Sequence, residues 1–358
     1  MMTLFEQWTS VAALREAAQR AARGKRERPD CAAFLFHLES RVLALHRALQ
    51  AGTWQPGPYR SVVVHEPKRR HISIAPFADR VVHQAFHGLF GPLSVPRFIA
   101  DSFASIPGRG QHRAIARYEH FRERYAWVLR TDIYRFFPSI DHAVAKACAQ
   151  RFVPCAASRE VLARIIDGSN LQEPVDLFFP GDDLLSPLAR RRGLPLGNLS
   201  SQWLGNVVLD RVDHVVKDDW AVKGYVRYLD DMALFTHSRE EALALQARLL
   251  PVLDALRLRL HPRKTVVQPS ATPTPFLGLV LHPGGHRRLP AANVGRAAQR
   301  LADLRRAWRS GQLGEDEVRL ALNGWQAHAR HADTWQLRQR WLGGGWCGPA
   351  AEALRARP

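Results

Sequence analysis

The sequence predicts an α+β fold in which short antiparallel hairpins are set among amphipathic helices. Two hairpins and one helical periodicity carry that expectation. Residues 224–236 (GYVRYLDDMALFT) form two runs of aromatic, β-branched and aliphatic residues broken by Asp230 and Asp231, the pattern of two strands joined by a tight turn. Residues 59–74 (YRSVVVHEPKRRHISI) alternate in the same way about a basic turn at Lys68, Arg69 and Arg70. Residues 32–49 instead place Phe34, Leu38, Val42, Leu45 and Leu49 near helical spacing, giving one apolar stripe.

A chain of 358 residues has room for two or three subdomains around more than one apolar cluster. Its 51 Lys and Arg against 33 Asp and Glu leave a net charge of +18, which favours a polyanionic partner. Arginine heavily outnumbers lysine and suits bidentate phosphate contacts. A GC-rich genome accounts for that choice of cation, though not for the excess of positive charge. The four cysteines form no CxxC pair, and the 16 histidines include no HExxH. Buried thiols in a reducing cytoplasm are therefore expected. The start MMTLFEQWTS lacks a basic segment followed by an apolar core, so no signal peptide is expected. No apolar run approaches a membrane span, and no membrane partner is expected.

Taken in order, residues 4–52 are expected to be helical, with Lys25, Arg26 and Arg28 in a solvated basic link. The hairpin at 59–74 precedes a helix over 75–90, with Asp79 and Arg80 near its start and Val82, Phe86 and Leu89 toward the core. A glycine-containing loop (residues 102–116, SFASIPGRGQHRAIA) leads into a helix over 111–123. One helix is expected over 143–167. The Pro- and Gly-punctuated stretch 168–192 carries Asp182 and Asp183 in a turn that reads as solvent-facing. Helices are expected at 203–216 and 238–256, then an apolar stretch at 275–283 that reads as a buried core strand. From 291 the chain turns helical and basic: Val294, Leu301, Leu304 and Trp308 lie near one face, with arginines elsewhere. A helix pair over 320–342 has Trp325, Trp335 and Trp341 as core candidates, and residues 343–358 are expected to pack loosely.

The chemistry centres on three carboxylates. Asp230 and Asp231 repel each other, and their apolar flanks raise the cost of keeping both ionised. On that stretch alone, an exposed acidic turn is as good an account as a cation site. Asp132 changes the balance, because it follows the apolar run 126–129 and precedes aromatics in WVLRTDIYRFFPSID (residues 127–141). One aspartate ending a strand, with a pair in a hairpin turn, is an arrangement that holds hard divalent ions between adjacent strands. Oxygen-only donors suit Mg²⁺. Two such ions about 3.5–4 Å apart activate an attacking hydroxyl and stabilise the leaving oxygen of an in-line displacement.

These residues also carry a family resemblance. YLDD (residues 228–231) resembles the YxDD box of reverse transcriptases. RTDIYRFFPSID (residues 130–141) is similar to their first catalytic-aspartate motif, and GLPLGNLSSQWLGNVVLDRVD (residues 193–213) to the motif between the two. The three stand in the family's order, and the resemblance extends over roughly residues 56–283. It implies a right-hand polymerase: N-terminal helices and fingers over 1–125, an α+β palm over 126–290 with an inserted fingers segment at about 143–200, and a helical thumb over 291–358. It implies that Asp132, Asp230 and Asp231, with the backbone carbonyl of Ile133, hold two Mg²⁺ ions. Lys68 and Arg70 would reach the incoming triphosphate, and Lys264 would lie near it as a general-acid candidate. Phe137 would crowd the 2′ position of the incoming sugar, with Phe136 as the alternative ring. Tyr228, Leu196, Gly197 and Gln202 would line the nucleotide site. Arg109 and Arg113, beside Gly108 and Gly110, would approach the template, and Gly278 would sit in the primer grip.

One departure narrows the resemblance. Most reverse transcriptases have a QGxxxSP pattern where this chain has LGNLSSQ, so that Leu196 replaces Gln and Gln202 replaces Pro. That form resembles the reverse transcriptases of diversity-generating retroelements. It implies adenine-directed, error-prone copying of a structured template RNA into cDNA, with dNTP substrates, an RNA/cDNA duplex and a small basic accessory protein forming a ring. A retron enzyme is disfavoured, since neither an NAxxH-type segment nor a late VTG occurs. A group II intron maturase would need more than about 70 residues after the palm. A defence-associated or CRISPR-linked reverse transcriptase is the main competitor. An RNA-binding scaffold with a vestigial site is the alternative of another class, and three intact aspartates argue against it.

Overall fold

A computed structural model describes residues 2–65, 70–169 and 177–342. The chain divides into two compact units, one of Met1–Tyr118 with Trp127–Gln268, the other of Glu119–Ala126 with Pro269–Pro358. Lys68, Arg69 and residues 343–358 lie outside the described residues, and of Arg70 only the backbone is described.

The first unit opens with α1 (Leu4–Thr9), α2 (Val11–Ala21), α3 (Pro29–Phe36) and α4 (Leu38–Gln50). Local chemistry sets the first boundaries. Thr3 forms a capping box with Glu6, and the Ser10 hydroxyl accepts the Ala13 N–H to start α2. The expected stripe runs over two helices, α3 and α4, with His37 between them: Phe34, Val42, Leu45 and Leu49 join Trp8 and Leu14 in one core with Phe77, Val82 and Phe86 of α5 (Phe77–Ser94), and Leu38 is half-buried against it. Between them, β1 (Arg60–Val64) and β2 (Arg70–Ile74) pair antiparallel, Val62 opposite Ile72. Every residue of β1 is exposed, so the ladder rather than burial holds this ribbon together.

After α6 (Gln111–Arg122) come β3 (Trp127–Thr131), α7 (Phe136–Ser139), α8 (His142–Ala149), α9 (Ala156–Asp167), α10 (Ser186–Ala189) and α11 (Leu199–His214). Then follow β4 (Tyr225–Tyr228), β5 (Asp231–Thr236), α12 (Arg239–Ala255) and β6 (Val266–Pro269), the four strands forming a sheet in the order β4-β5-β3-β6. Met232 to Phe235 are all buried, as are Val128 and Leu129, so the central strands are covered on both faces. α11 buries most of its length, including the polar Asn206, Asp210 and Asp213.

Several expectations need correction. The single helix expected over 143–167 is two, α8 and α9, because Pro154 lies in the break between them and Cys155 becomes the second N-cap. Asp182 is not solvent-facing: its side chain is covered, ion-paired with Arg190, and accepts the Phe179 N–H. Asp183, by contrast, is exposed and accepts the N–H groups of Leu185 and Ser186 at the start of α10. Phe136 and Phe137 are not on a strand but in the one-turn helix α7.

The second unit contains a three-stranded sheet, β7 (Thr274–Phe276), β8 (Leu279–Leu281) and β9 (Arg287–Arg288), and the helices α13 (Ala291–Arg309), α14 (Glu315–Ala329) and α15 (Trp335–Leu342). Glu119 holds Arg287 through two bonds of 2.8 and 2.6 Å, and the Arg122 guanidinium donates to the carbonyls of Ser270 and Thr272. Leu301, Leu304 and Trp308 of α13 pack on Val318, Leu322 and Leu342. Of the three tryptophans expected in this core, Trp325 and Trp341 lie 5.4 Å apart, whereas Trp335 is 39% exposed beneath the Arg338 guanidinium. Among the described residues, no helix is long and apolar enough to cross a membrane.

His83 on α5 is buried, and neither ring nitrogen has a hydrogen-bond partner. Burial therefore lowers its pKa from 6.5 to about 4. The unfolded chain binds that proton first, so this residue's contribution is complete above pH 6.5 and is lost as the pH falls toward 4, to the extent of roughly 3 kcal/mol. Asp79, raised to about 6 by burial, works in the opposite direction over the same range. The His83→Leu variant is accordingly expected to lose less melting temperature than the native chain between pH 6.5 and 4. Parallel melting curves in thermal unfolding would contradict this.

Candidate active site

The hairpin of β4 and β5 is closed by two residues, since Tyr228 pairs with Asp231 and leaves Leu229 and Asp230 as the turn. Leu229 adopts φ 56°, a left-handed conformation that costs a non-glycine residue about 1–2 kcal/mol. On the other side of β5, β3 runs antiparallel with Thr131 opposite Met232. One further residue brings Asp132 level with Asp231. The chain beyond Asp132 stays extended against the 259–261 segment: His261 N–H donates to the Asp132 carbonyl (2.7 Å), Tyr134 N–H to that of Arg259 (2.8 Å), and Ile133 bridges Leu260. Asp132 and the adjacent pair Asp230 and Asp231, distant from it in sequence, thus share one end of the sheet.

Their charges act on one another. Burial, then Asp132 and Asp231, push Asp230 up to about 7. Burial, then Asp132, raise Asp231 to about 6, and the Lys264 cation offsets part of the effect. That lysine follows the 259–261 segment, and its Nζ lies 2.6 Å from Asp132 Oδ2. Lys264 was expected near the triphosphate; here its ammonium is held on the first aspartate, drawn by the concentrated negative field.

Beneath the turn lies a polar network that the motifs do not announce. Arg227, with no exposure, donates from Nε and Nη2 to both oxygens of the equally buried Asp213 (2.7 and 2.5 Å). Its Nη1 donates to Asn206 Oδ1 (2.9 Å) and to the Leu229 carbonyl (3.1 Å). The Tyr225 hydroxyl donates to Asp213 (2.8 Å), and Asn206 Nδ2 to the Ala104 carbonyl (2.8 Å). An arginine inside YVRY, and polar residues at 206, 210 and 213 on an otherwise apolar helix, are the sequence signals from which this network could have been found.

The remaining predicted residues fall as follows. Leu196 and Gly197 pack against the first hairpin: the Ser73 N–H donates to the Leu196 carbonyl (3.3 Å), and Gly197, at φ 108°, leaves only 3.3 Å between a would-be Cβ and Ile72. Asn198 does not cap α11; its amide donates to the Tyr59 hydroxyl (2.7 Å). Gln202 is exposed and accepts from the Ser105 hydroxyl (3.1 Å). Phe136 is the buried ring, in contact distance of Gly205, and Phe137 is half-buried with its carbonyl bonded to the Leu194 N–H. Tyr228 is half-buried beside the turn. Arg113 is exposed, as a template contact requires, but the Arg109 guanidinium is turned inward onto the carbonyls of Ile99 and Ser102. Arg109 therefore braces its own loop. Gly278 belongs to the second unit, where Leu277 and Gly278 form the turn between β7 and β8.

A family described as reverse transcriptase (RNA-dependent DNA polymerase) matches residues 64–281. The chain belongs to the reverse transcriptase family. Among solved structures it is similar to apo telomerase from Candida tropicalis, with 11% identity over 64% of this chain and 47% of that one and a TM-score of 0.46. The same telomerase truncated of its C-terminal domain gives 12% identity over 68% and 58%, with a TM-score of 0.47. Telomerase from Candida albicans in complex with a TWJ fragment of telomeric RNA gives 12% over 65% and 46%, with a TM-score of 0.42. The reverse-transcriptase chain thus spans about half the length of these telomerase chains. No curated protein matches the sequence.

Reverse transcriptases use divalent metals. Among the described residues, no three His, Cys, Asp or Glu side chains already stand in ligating arrangement. The chemistry of the three aspartates nevertheless fits such an ion: the donors are all oxygen, burial raises two of them, and one already holds a cation. Because Asp230 and Asp231 are protonated in part near neutrality, cation binding has to displace protons. Affinity for Mg²⁺ or Mn²⁺ is expected to rise from pH 6 to 7.5, with proton release seen by calorimetry in buffers of different ionisation enthalpy. Binding without release at pH 6.5 would contradict the electrostatics described.

Proposed function

We propose that the chain is an RNA-directed DNA polymerase that adds deoxynucleotides to a primer 3′-hydroxyl, and that it serves a diversity-generating retroelement in the cytoplasm. The observation that carries the polymerase reading is the approach of Asp132 to the Asp230–Asp231 turn in a chain of this family. Asp132, Asp230 and Asp231, with the Ile133 carbonyl, would hold two divalent ions, for which oxygen donors favour Mg²⁺. When bound, such a pair lowers the pKa of the attacking hydroxyl and neutralises the leaving pyrophosphate.

The chain's own residues do the rest. Phe137, half-buried beside Leu194, crowds the sugar edge and disfavours a 2′-hydroxyl. Lys264 neutralises Asp132 in the free chain and turns to the triphosphate once that carboxylate is otherwise matched. Lys68 and Arg70 supply further phosphate contacts from the first hairpin, and Arg113 meets the template strand. Net charge of +18 favours binding along an RNA/cDNA duplex, with steep salt dependence. A small basic accessory ring protein and a structured template RNA complete the proposed system.

The retroelement assignment rests on LGNLSSQ. Leu196 places an aliphatic side chain where most of the family has a glutamine, removing a polar contact beside the nascent pair, and that loosens discrimination.

Two outcomes test these readings. Asp230→Asn is expected to lower primer extension on RNA by at least a thousandfold while RNA binding stays within about twofold, since it removes one ligand charge and no phosphate contact. Substantial extension by that variant would refute the metal assignment. Leu196→Gln is expected to lower misincorporation opposite template adenine, read by sequencing extension products; an unchanged error spectrum removes the retroelement argument.

A further inference from the structure

A buried ion pair is a poor device for merely joining a strand to a helix. Apolar side chains of similar volume do that as well or better, because neither charge has to leave water. The pairing of Arg227 on β4 with Asp213 on α11 therefore calls for a reason that packing does not supply.

The reason lies in the fork of the guanidinium. Nε and Nη2 are taken by Asp213, and this fixes the plane of the group. Nη1 is then held rigidly toward two acceptors, Asn206 Oδ1 at 2.9 Å and the Leu229 carbonyl at 3.1 Å. The Leu229 carbonyl belongs to the peptide that joins Leu229 to Asp230. Its orientation sets the direction in which Asp230 leaves the turn. That peptide follows a residue at φ 56°, a left-handed conformation that a non-glycine residue adopts only at a cost. Backbone bonds anchor the arginine from the other side, Arg227 N–H to the Asp101 carbonyl (2.9 Å) and Phe103 N–H to the Arg227 carbonyl (3.0 Å).

We infer that Arg227 is a positioning residue: its guanidinium, clamped by Asp213 and Asn206, locks the Leu229–Asp230 peptide so that Asp230 faces the divalent cation alongside Asp132 and Asp231. The inference rests on the proposed metal site, and goes beyond it by assigning the orientation of one ligand to a side chain that touches neither metal nor nucleotide. Asp213 and Asn206 act through Arg227, and Tyr225 holds Asp213 in turn.

The test replaces the ion pair as a unit. In Arg227→Met/Asp213→Leu, apolar packing substitutes for the pair and leaves no charge stranded, while the contact to the turn is lost. Arg227→Lys keeps a cation beside Asp213 but lacks the fork, and is read as well in case the double variant fails to fold. For variants that melt like the native chain, Mn²⁺ affinity by electron paramagnetic resonance is expected to weaken at least fivefold. Turnover in primer extension should fall at least tenfold with the KM for dNTP within twofold, a split that loss of general packing would not produce. A folded double variant, or a folded Arg227→Lys chain, with native Mn²⁺ affinity and turnover overturns the inference. Should the native chain extend no primer, the polymerase reading fails by itself, and the Mn²⁺ comparison still decides the role of Arg227.

Discussion

Antiparallel pairing of β3 with β5 is the constraint on which the candidate site depends. With Thr131 opposite Met232, the residue that follows β3 arrives beside the first residue of β5, and so Asp132 meets Asp231. A slip of one residue would turn every side chain of the strand to the opposite face. Burial of Val128, Leu129 and Met232–Phe235 on both faces fixes these strands in the core, and the register they adopt there, Leu129 opposite Leu234, decides which residues reach the end of the sheet. The apolar strands are thus what align three charged residues that would otherwise repel one another apart.

Holding those charges has a cost that the surroundings offset in two ways. Lys264 supplies a cation to Asp132 from a segment whose backbone is bonded alongside it, so the lysine arrives by chain geometry rather than by reach. Under the turn, Arg227 and Asp213 balance each other with no solvent, and the spare guanidinium donor meets the one carbonyl that the left-handed Leu229 turns inward. The field above the turn invites cations, and the network below makes the turn stiff. α11 serves both sides: Asn206 and Asp213 face the network, while Gly205 allows Phe136 and Leu229 to approach within contact of its backbone. The loop before it is fastened beside the first hairpin, where the Asn198 amide donates to the hydroxyl of Tyr59, the residue preceding β1.

Much of this was legible beforehand, and the failures have physical causes. The hairpins at 59–74 and 224–236 were found because strand periodicity and turn chemistry are local. Residues 143–167 were expected as one helix, and Pro154 breaks that run because its ring cannot continue the backbone hydrogen bonding. Arg109 was read as a template contact from its charge beside glycines, yet the nearest acceptors are carbonyls of its own loop. Asp182 was read as solvated because the turn is polar, and the arginine that covers it lies eight residues away in sequence.

By itself, the sequence determined the fold class and the family, since both are carried by residue patterns that are short in sequence. It could not decide which of Phe136 and Phe137 would be buried, that Lys264 would rest on Asp132, or that Arg227 would reach the Leu229 carbonyl. Those outcomes are set by strands and helices that are distant in the chain and become neighbours only when the core closes. Pairing energies between such partners have no local signature, and tertiary packing alone supplies it.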